Sequence, residues 1–219
     1  MGDLYLNALN KKSEAIKIYR DVIALNPNHA GAHYALGMAL YDGQEPAEVV
    51  AQLQEANRLE PNNPLPLNAL AQVYIKQNDS QKALDVLAKI IKMYPKFTRA
   101  YIQQGDVYLN LNQMDKALEN YIKASDIDPG FIPVYTKIGM AYQVRKDWEQ
   151  AEIFYKKAIV MDPNQPFAQN NLAWVLLERK GDLGEALAAA QKAVDLAPGV
   201  PEFLDTLARV KEAQGQPVR

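Results

Sequence analysis

An all-α solenoid of stacked antiparallel helix pairs is the fold class this sequence predicts, and three observations predict it. Pro27, Pro61, Pro95, Pro129, Pro163 and Pro198 stand 34, 34, 34, 34 and 35 residues apart. A fixed period in this range means one supersecondary unit copied and stacked on itself. Small residues recur at fixed places between the prolines, where helices must nearly touch. The composition, 48% hydrophobic and 23% charged, is that of an ordinary folded chain and excludes a disordered or collagen-like one.

Each proline closes a helix that it cannot continue, as in Ile127, Asp128, Pro129 or Met161, Asp162, Pro163. With the proline at position 32 of a 34-residue frame, repeats open at Ala30, Pro64, Thr98, Ile132 and Pro166, and a sixth frame opens at Pro201. Proline is tolerated there because the N–H groups of a helix's first turn have no intrahelical partner. The frame divides the chain into a partial repeat over 1–29 and repeats over 30–63, 64–97, 98–131 and 132–165. A repeat with a one-residue insertion follows over 166–200, then a capping helix over 201–214 and a tail over 215–219. Each repeat is read as two helices, at about positions 1–14 and 18–31, each about 20 Å long at about 1.5 Å per residue.

Five positions agree in register. Position 8 reads Gly37, Ala71, Gly105, Gly139, Ala173 and Ala208, and position 20 reads Val49, Ala83, Ala117, Ala151 and Ala186. Position 11 holds Leu40, Tyr74, Tyr108, Tyr142 and Leu176, position 24 holds Leu53, Leu87, Tyr121, Tyr155 and Ala190, and position 27 holds Ala56, Ile90, Ala124, Ala158 and Ala193. Eight tyrosines, at positions 4, 11 and 24, are thereby expected in the core: Tyr19, Tyr74, Tyr101, Tyr108, Tyr121, Tyr135, Tyr142 and Tyr155. Trp148, at position 17 in the turn KDWEQA, is expected to pack between the two helices of its repeat.

The ends depart from the pattern. A second helix over 13–26 keeps Ala15, Tyr19 and Val22 in register, but only the end of a first helix, 3–9, precedes it, which predicts that more chain lies before residue 1 in the parent protein. The bare face would also let a second copy dock. After Pro201, Leu204, Leu207 and Ala208 keep the helical pattern, and Lys211, Glu212 and Gln214 stand where a further helix would pack, as in a polar cap.

This pattern resembles the tetratricopeptide repeat, whose signature is W-x2-L-G-x2-Y, A-x3-F and P. Residues 132–165 hold the fullest copy, with Tyr135, Ile138, Gly139, Tyr142, Ala151, Tyr155, Ala158 and Pro163. The resemblance implies a right-handed superhelix whose first helices line a concave groove, mainly through positions 2, 5, 9, 12 and 13. The groove residues so implied are Tyr34, Met38 and Tyr41; Asn68, Gln72 and Ile75; Ile102, Asp106 and Leu109; Thr136, Lys137, Met140 and Gln143; and Asn170, Trp174 and Leu177. This lining is apolar, rich in amides and nearly neutral. Aromatic residues and Met offer adaptable contact area, while Asn and Gln offer a donor and an acceptor to a peptide backbone. Trp174 has two readings at this stage, burial against the next repeat or contact with a ligand.

The resemblance further implies a non-catalytic module that binds a peptide or helical segment of another protein, as a scaffold or adaptor in a bacterial multi-protein assembly. Residues 170–215 are similar to the last repeats of bacterial, often envelope-associated, members of the family. Alternatives are the recognition or regulatory arm of a larger enzyme or polysaccharide-export machine, and glycan binding through Tyr34, Tyr41 and Trp174. A clamp for a C-terminal carboxylate, as in chaperone-binding members, is not expected, because Arg99, Lys137 and Lys76 fall at scattered positions.

The residues argue against most chemistry. No cofactor or metal is expected: His29 and His33 lie four apart, but with no third ligand placed near them, and the chain has no cysteine for a thiolate site. There is no G-x-x-x-x-G-K, no G-x-S-x-G and no histidine left for a triad. A net charge of -2, with basic residues spread among acidic ones as in Lys82, Asp85 and Lys89, offers no footprint for nucleic acid. The lack of cysteine suits cytoplasm and periplasm alike. No stretch reaches the roughly 18 apolar residues of a membrane span.

Overall fold

The computed structural model describes residues 12–43 and 46–215; the expected first-helix remnant 3–9, Glu45 and residues 216–219 lie outside them. Twelve α-helices and no strands occur among the described residues, so the all-α prediction holds. In chain order they are α1 Lys12–Leu25, α2 Ala30–Leu40, α3 Pro46–Leu59, α4 Pro64–Lys76, α5 Ser80–Met93 and α6 Thr98–Asn110. There follow α7 Met114–Ile127, α8 Pro133–Val144, α9 Trp148–Met161, α10 Pro166–Glu178, α11 Leu183–Leu196 and α12 Pro201–Ala213. They form two compact units, one ending at Val107 and one starting at Tyr108.

In the first unit α1 packs on α2, α2 on α3, α3 on α4 and α4 on α5. The buried stripe of α3 is Val49, Leu53 and Ala56, and that of α5 is Ala83, Leu87 and Ile90. These are positions 20, 24 and 27, the four- and three-residue steps that keep side chains on one helix face. In the second unit the same positions of α9 (Ala151, Tyr155, Ala158) and α11 (Ala186, Ala190, Ala193) are fully buried. There α8 packs on α9, α9 on α10, α10 on α11 and α11 on α12, and α12 also reaches back to α10.

The turn inside four of the repeats is built the same way. Asn78, Asn112, Lys146 and Lys180 take positive φ between 56° and 59°. Behind them, the N–H groups of Asp79, Gln113, Asp147 and Gly181 donate to the carbonyls of Tyr74, Tyr108, Tyr142 and Leu176 at 2.8 to 3.0 Å. This six-to-one bond, with the left-handed residue before it, is the Schellman ending that satisfies carbonyls a helix leaves unpaired. The next helix is capped at once. Asp79 Oδ1 accepts from Lys82 N–H at 3.2 Å, Asp147 Oδ1 from Gln150 N–H at 3.3 Å, and Asp182 Oδ1 from the N–H groups of Gly184 and Glu185 at 2.7 and 3.0 Å.

Three local expectations are corrected. Second helices start at position 17 rather than 18, so Trp148 opens α9 instead of sitting in the turn, because Asp147 is already the cap. Of the eight tyrosines expected in the core, Tyr101, Tyr108 and Tyr142 are only half-buried. Position 11 lies at the edge of the helix pair, where the Tyr142 ring stacks on Phe154 at 5.6 Å and Lys116 Nζ sits 5.2 Å over the Tyr108 ring. Gln214, expected in an outward polar cap, folds back instead: its Nε2 donates to the Leu183 carbonyl at 2.7 Å.

Candidate functional site

The residues at positions 5, 9 and 12 of the first helices range from buried to exposed. In the first unit Tyr34, Tyr41, Gln72, Ile75 and Asp106 are half-buried and Met38 is exposed. Tyr34, Tyr41 and Ile75 also pack on the core of that unit. Ile102 is only 7% exposed and belongs to the interior. Lys76 Nζ sits 4.7 Å over the Tyr41 ring and 3.2 Å from an Asp42 carboxylate oxygen, which fixes the cation at the edge of this face.

In the second unit Leu109, Thr136, Lys137, Gln143, Trp174 and Leu177 are half-buried, and Met140 is 43% exposed. Lys137 Nζ lies 5.8 Å over the Tyr121 ring. Gln143 Oε1 accepts from the Tyr155 hydroxyl at 2.6 Å, and burial pushes the Tyr155 phenol pKa well up, so the proton stays on the oxygen that donates it. Trp174 packs on an aromatic residue of the preceding repeat rather than of the next. Its ring meets the Trp148 edge at 5.5 Å and 69°, and it also borders an open recess.

Asn68 and Asn170 occupy position 5 of their repeats and are 7% and 8% exposed. Among the described residues the side-chain oxygen Oδ1 of each has no hydrogen-bond donor. A buried carbonyl left unpaired costs about 1 to 3 kcal/mol, and the side-chain oxygens of Asn57 and Gln103, outside these positions, share that state. The recess beside Asn170 has a volume of about 480 Å³; Gln143, Asn170 and Trp174 form one side, and Glu202, Asp205 and Arg209 of α12 form the other. The α12 residues were missed by the reading of the sequence. Glu202, Asp205 and Arg209 are positions 2, 5 and 9 of the sixth frame, and extending the groove rule to the capping helix would have found them.

The histidines are occupied. His29 Nδ1 accepts from Ala32 N–H at 3.1 Å as the cap of α2. His33 places Nδ1 2.7 Å from the Gln52 side-chain amide and Nε2 2.9 Å from the Pro27 carbonyl. Among the described residues no cluster of three or more acidic, His or Cys side chains could hold a metal ion, and no helix is long and apolar enough to cross a membrane.

Family models described as tetratricopeptide repeat match residues 8–73 and 44–104, residues 98–131 and 132–165, and residues 154–188. Together they run without a gap over 8–188. The chain belongs to the tetratricopeptide repeat (TPR) family. No curated protein sequence matches it. Among solved structures it is similar to MamA, at 27% identity over 75% of this chain and 96% of that one, with a TM-score of 0.67. Similar in fold are YrrB, described as a TPR protein with an unusual peptide-binding site (18% identity, 85% and 96% covered, TM-score 0.65), and yeast Tom70 (19%, 92% and 43%, TM-score 0.74). This chain thus spans less than half of the Tom70 structure. The TPR fold of these neighbours supports a protein–protein interaction module.

Proposed function

We propose that this TPR chain is a non-catalytic scaffold or adaptor that binds an extended or helical segment of another protein on the first-helix faces of its repeats. The observation behind this reading is the pair of buried, unpaired side-chain oxygens, Asn68 Oδ1 and Asn170 Oδ1, at the same frame position in two units. A backbone N–H of a bound segment would satisfy each, and the half-exposed Tyr34, Met38, Met140 and Trp174 beside them would bury its side chains. YrrB, similar in fold, is described as having a peptide-binding site, which supports peptide binding by a repeat array of this kind. The repeats 30–63, 64–97, 98–131, 132–165 and 166–200 are the recognition units on this reading.

Selection of random dodecapeptides displayed on phage against the immobilised chain tests it. The recovered peptides are expected to lose binding to Met38→Glu or Met140→Glu, and to keep it with Val160→Glu on the second helix α9, where Val160 is 82% exposed. Equal loss with Val160→Glu, or no loss with either Met variant, rejects the first-helix faces as the binding surface.

A further inference from the structure

We propose that the recess between α10 and α12 receives a basic side chain, arginine in preference to lysine, of the bound protein segment; this rests on the interaction reading above. The groups facing this space are acceptors. Glu202 and Asp205, three residues apart on one face of α12, are exposed, and neither carboxylate has an ion-pair or hydrogen-bond partner among the described residues. The nearest protein cation is already engaged, because Arg209 binds Glu178 at 2.9 Å. Asn170 lines the same recess, and its Oδ1 has no donor among the described residues although the residue is 8% exposed. Its amide nitrogen is directed instead to Asn171 Oδ1, at 3.4 Å. The half-buried indole of Trp174 supplies the remaining wall.

Two carboxylates, a bare amide oxygen and an indole together suit one kind of guest. A guanidinium is planar, carries five donors and no acceptor, and stacks on an aromatic face while its edge binds carboxylates. The preference of acids for a helix's first turn accounts for Glu202, the second residue of α12, but not for Asp205, the fifth, nor for the unpaired Asn170 oxygen. An anionic guest would meet two carboxylates with the one neighbouring cation committed to Glu178. The recess volume of about 480 Å³ exceeds what one side chain fills, which leaves room for the adjoining backbone to reach Asn170.

The same dodecapeptide selection decides the matter on the intact chain. Recovered peptides are expected to share an Arg at one aligned position, and Lys in its place is expected to bind more weakly. Replacing that residue by citrulline, which keeps the shape and removes the charge, is expected to weaken binding about tenfold or more by calorimetry. Glu202→Gln with Asp205→Asn should do the same and flatten the dependence of affinity on salt. Both side chains are exposed, so the melting temperature of that variant should hold, and the citrulline comparison leaves the protein untouched in any case. Peptides that bind the first-helix faces without a shared basic position, or that tolerate citrulline, overturn the basic-side-chain site and leave the interaction reading standing. The absence of any enriched peptide overturns both. Spermidine binding as tightly as the best peptide would overturn the assignment to a protein side chain.

Discussion

The His33 imidazole donates from Nε2 to the carbonyl oxygen of Pro27 at 2.9 Å, so position 4 of one repeat is fastened to the proline that closed the repeat before it. The same bond recurs with different chemistry. The Tyr101 hydroxyl donates to Pro95 O at 3.1 Å, Tyr135 to Pro129 O at 2.9 Å and Gln169 Nε2 to Pro163 O at 3.1 Å. Each proline lies two residues past the end of its helix, in the turn between repeats, and a side chain six residues on donates to its carbonyl. Leu67 holds position 4 in the remaining full repeat and has no group to donate.

Tyr135→Phe therefore isolates one fastening, since it removes the hydroxyl and keeps the ring, which is almost fully buried and has Lys157 Nζ 4.3 Å from its centre. We expect a loss of about 0.5 to 1.5 kcal/mol, the net worth of a single hydrogen bond with its acceptor left behind. Urea denaturation followed by circular dichroism reads it as a lowered midpoint at unchanged slope. An unchanged midpoint would show the bond to be incidental.

Gly139 and Tyr155 are matched in size. A Cβ on Gly139 would stand 2.6 and 2.7 Å from two ring carbons of Tyr155, which is fully buried and cannot swing away. In the repeat 64–97 the same two positions are Ala71 and Leu87, both in one core. Gly139→Ala alone should cost about 1 to 3 kcal/mol by overpacking, partly offset by alanine's better helix propensity. Combined with Tyr155→Leu, the alanine should become nearly neutral, giving a coupling of at least about 1 kcal/mol in a double-mutant cycle. Additive effects would mean that the helices can separate to admit the methyl group.

Lys146 adopts φ of 59°, a left-handed conformation that costs a residue with a Cβ about 1 to 2 kcal/mol. Asn78 and Asn112 hold the same frame position with a residue that tolerates it. Lys146→Asn should stabilise the second unit by about 0.5 to 1 kcal/mol, and Lys146→Val should destabilise it by at least as much. Thermal melts of the two variants with opposite signs are the expected result. Equal melting temperatures would show that the turn relaxes around its residue.

How far the sequence could be read follows from these cases. The period and the buried stripes at positions 20, 24 and 27 were legible because packing acts on residue size, and size is written in the letters. The fastening at position 4 was not, since His, Tyr and Gln share no class except that each can donate a proton at similar reach. The left-handed turn was hidden where lysine stands in place of the asparagine or glycine that would mark it. Half of the recess was hidden for another reason: α12 reads as a cap by its place in the chain, yet its positions 2, 5 and 9 follow the rule of the first helices. The burial of Ile102 and the half-burial of Tyr142 depend on how neighbouring helices cross, which no single repeat specifies.

Trp174 and Met140 share frame position 9 and should nonetheless respond differently to truncation. Met140 is 43% exposed, so Met140→Ala should change stability by less than about 0.5 kcal/mol. Trp174 is packed edge-on against Trp148 at 5.5 Å and joins the core of α9, α10 and α11, so Trp174→Ala should cost about 2 kcal/mol, less than a fully buried indole. Trp174→Phe retains part of that contact and should recover about half of the loss. Binding measured with Trp174→Ala consequently mixes two effects, and Met140→Ala separates them: it should weaken a groove-bound peptide by about 1 kcal/mol while the denaturation midpoint stays fixed. Denaturation and calorimetry on the three variants give the comparison, and equal stability losses for Met140→Ala and Trp174→Ala would contradict the packing described for the indole.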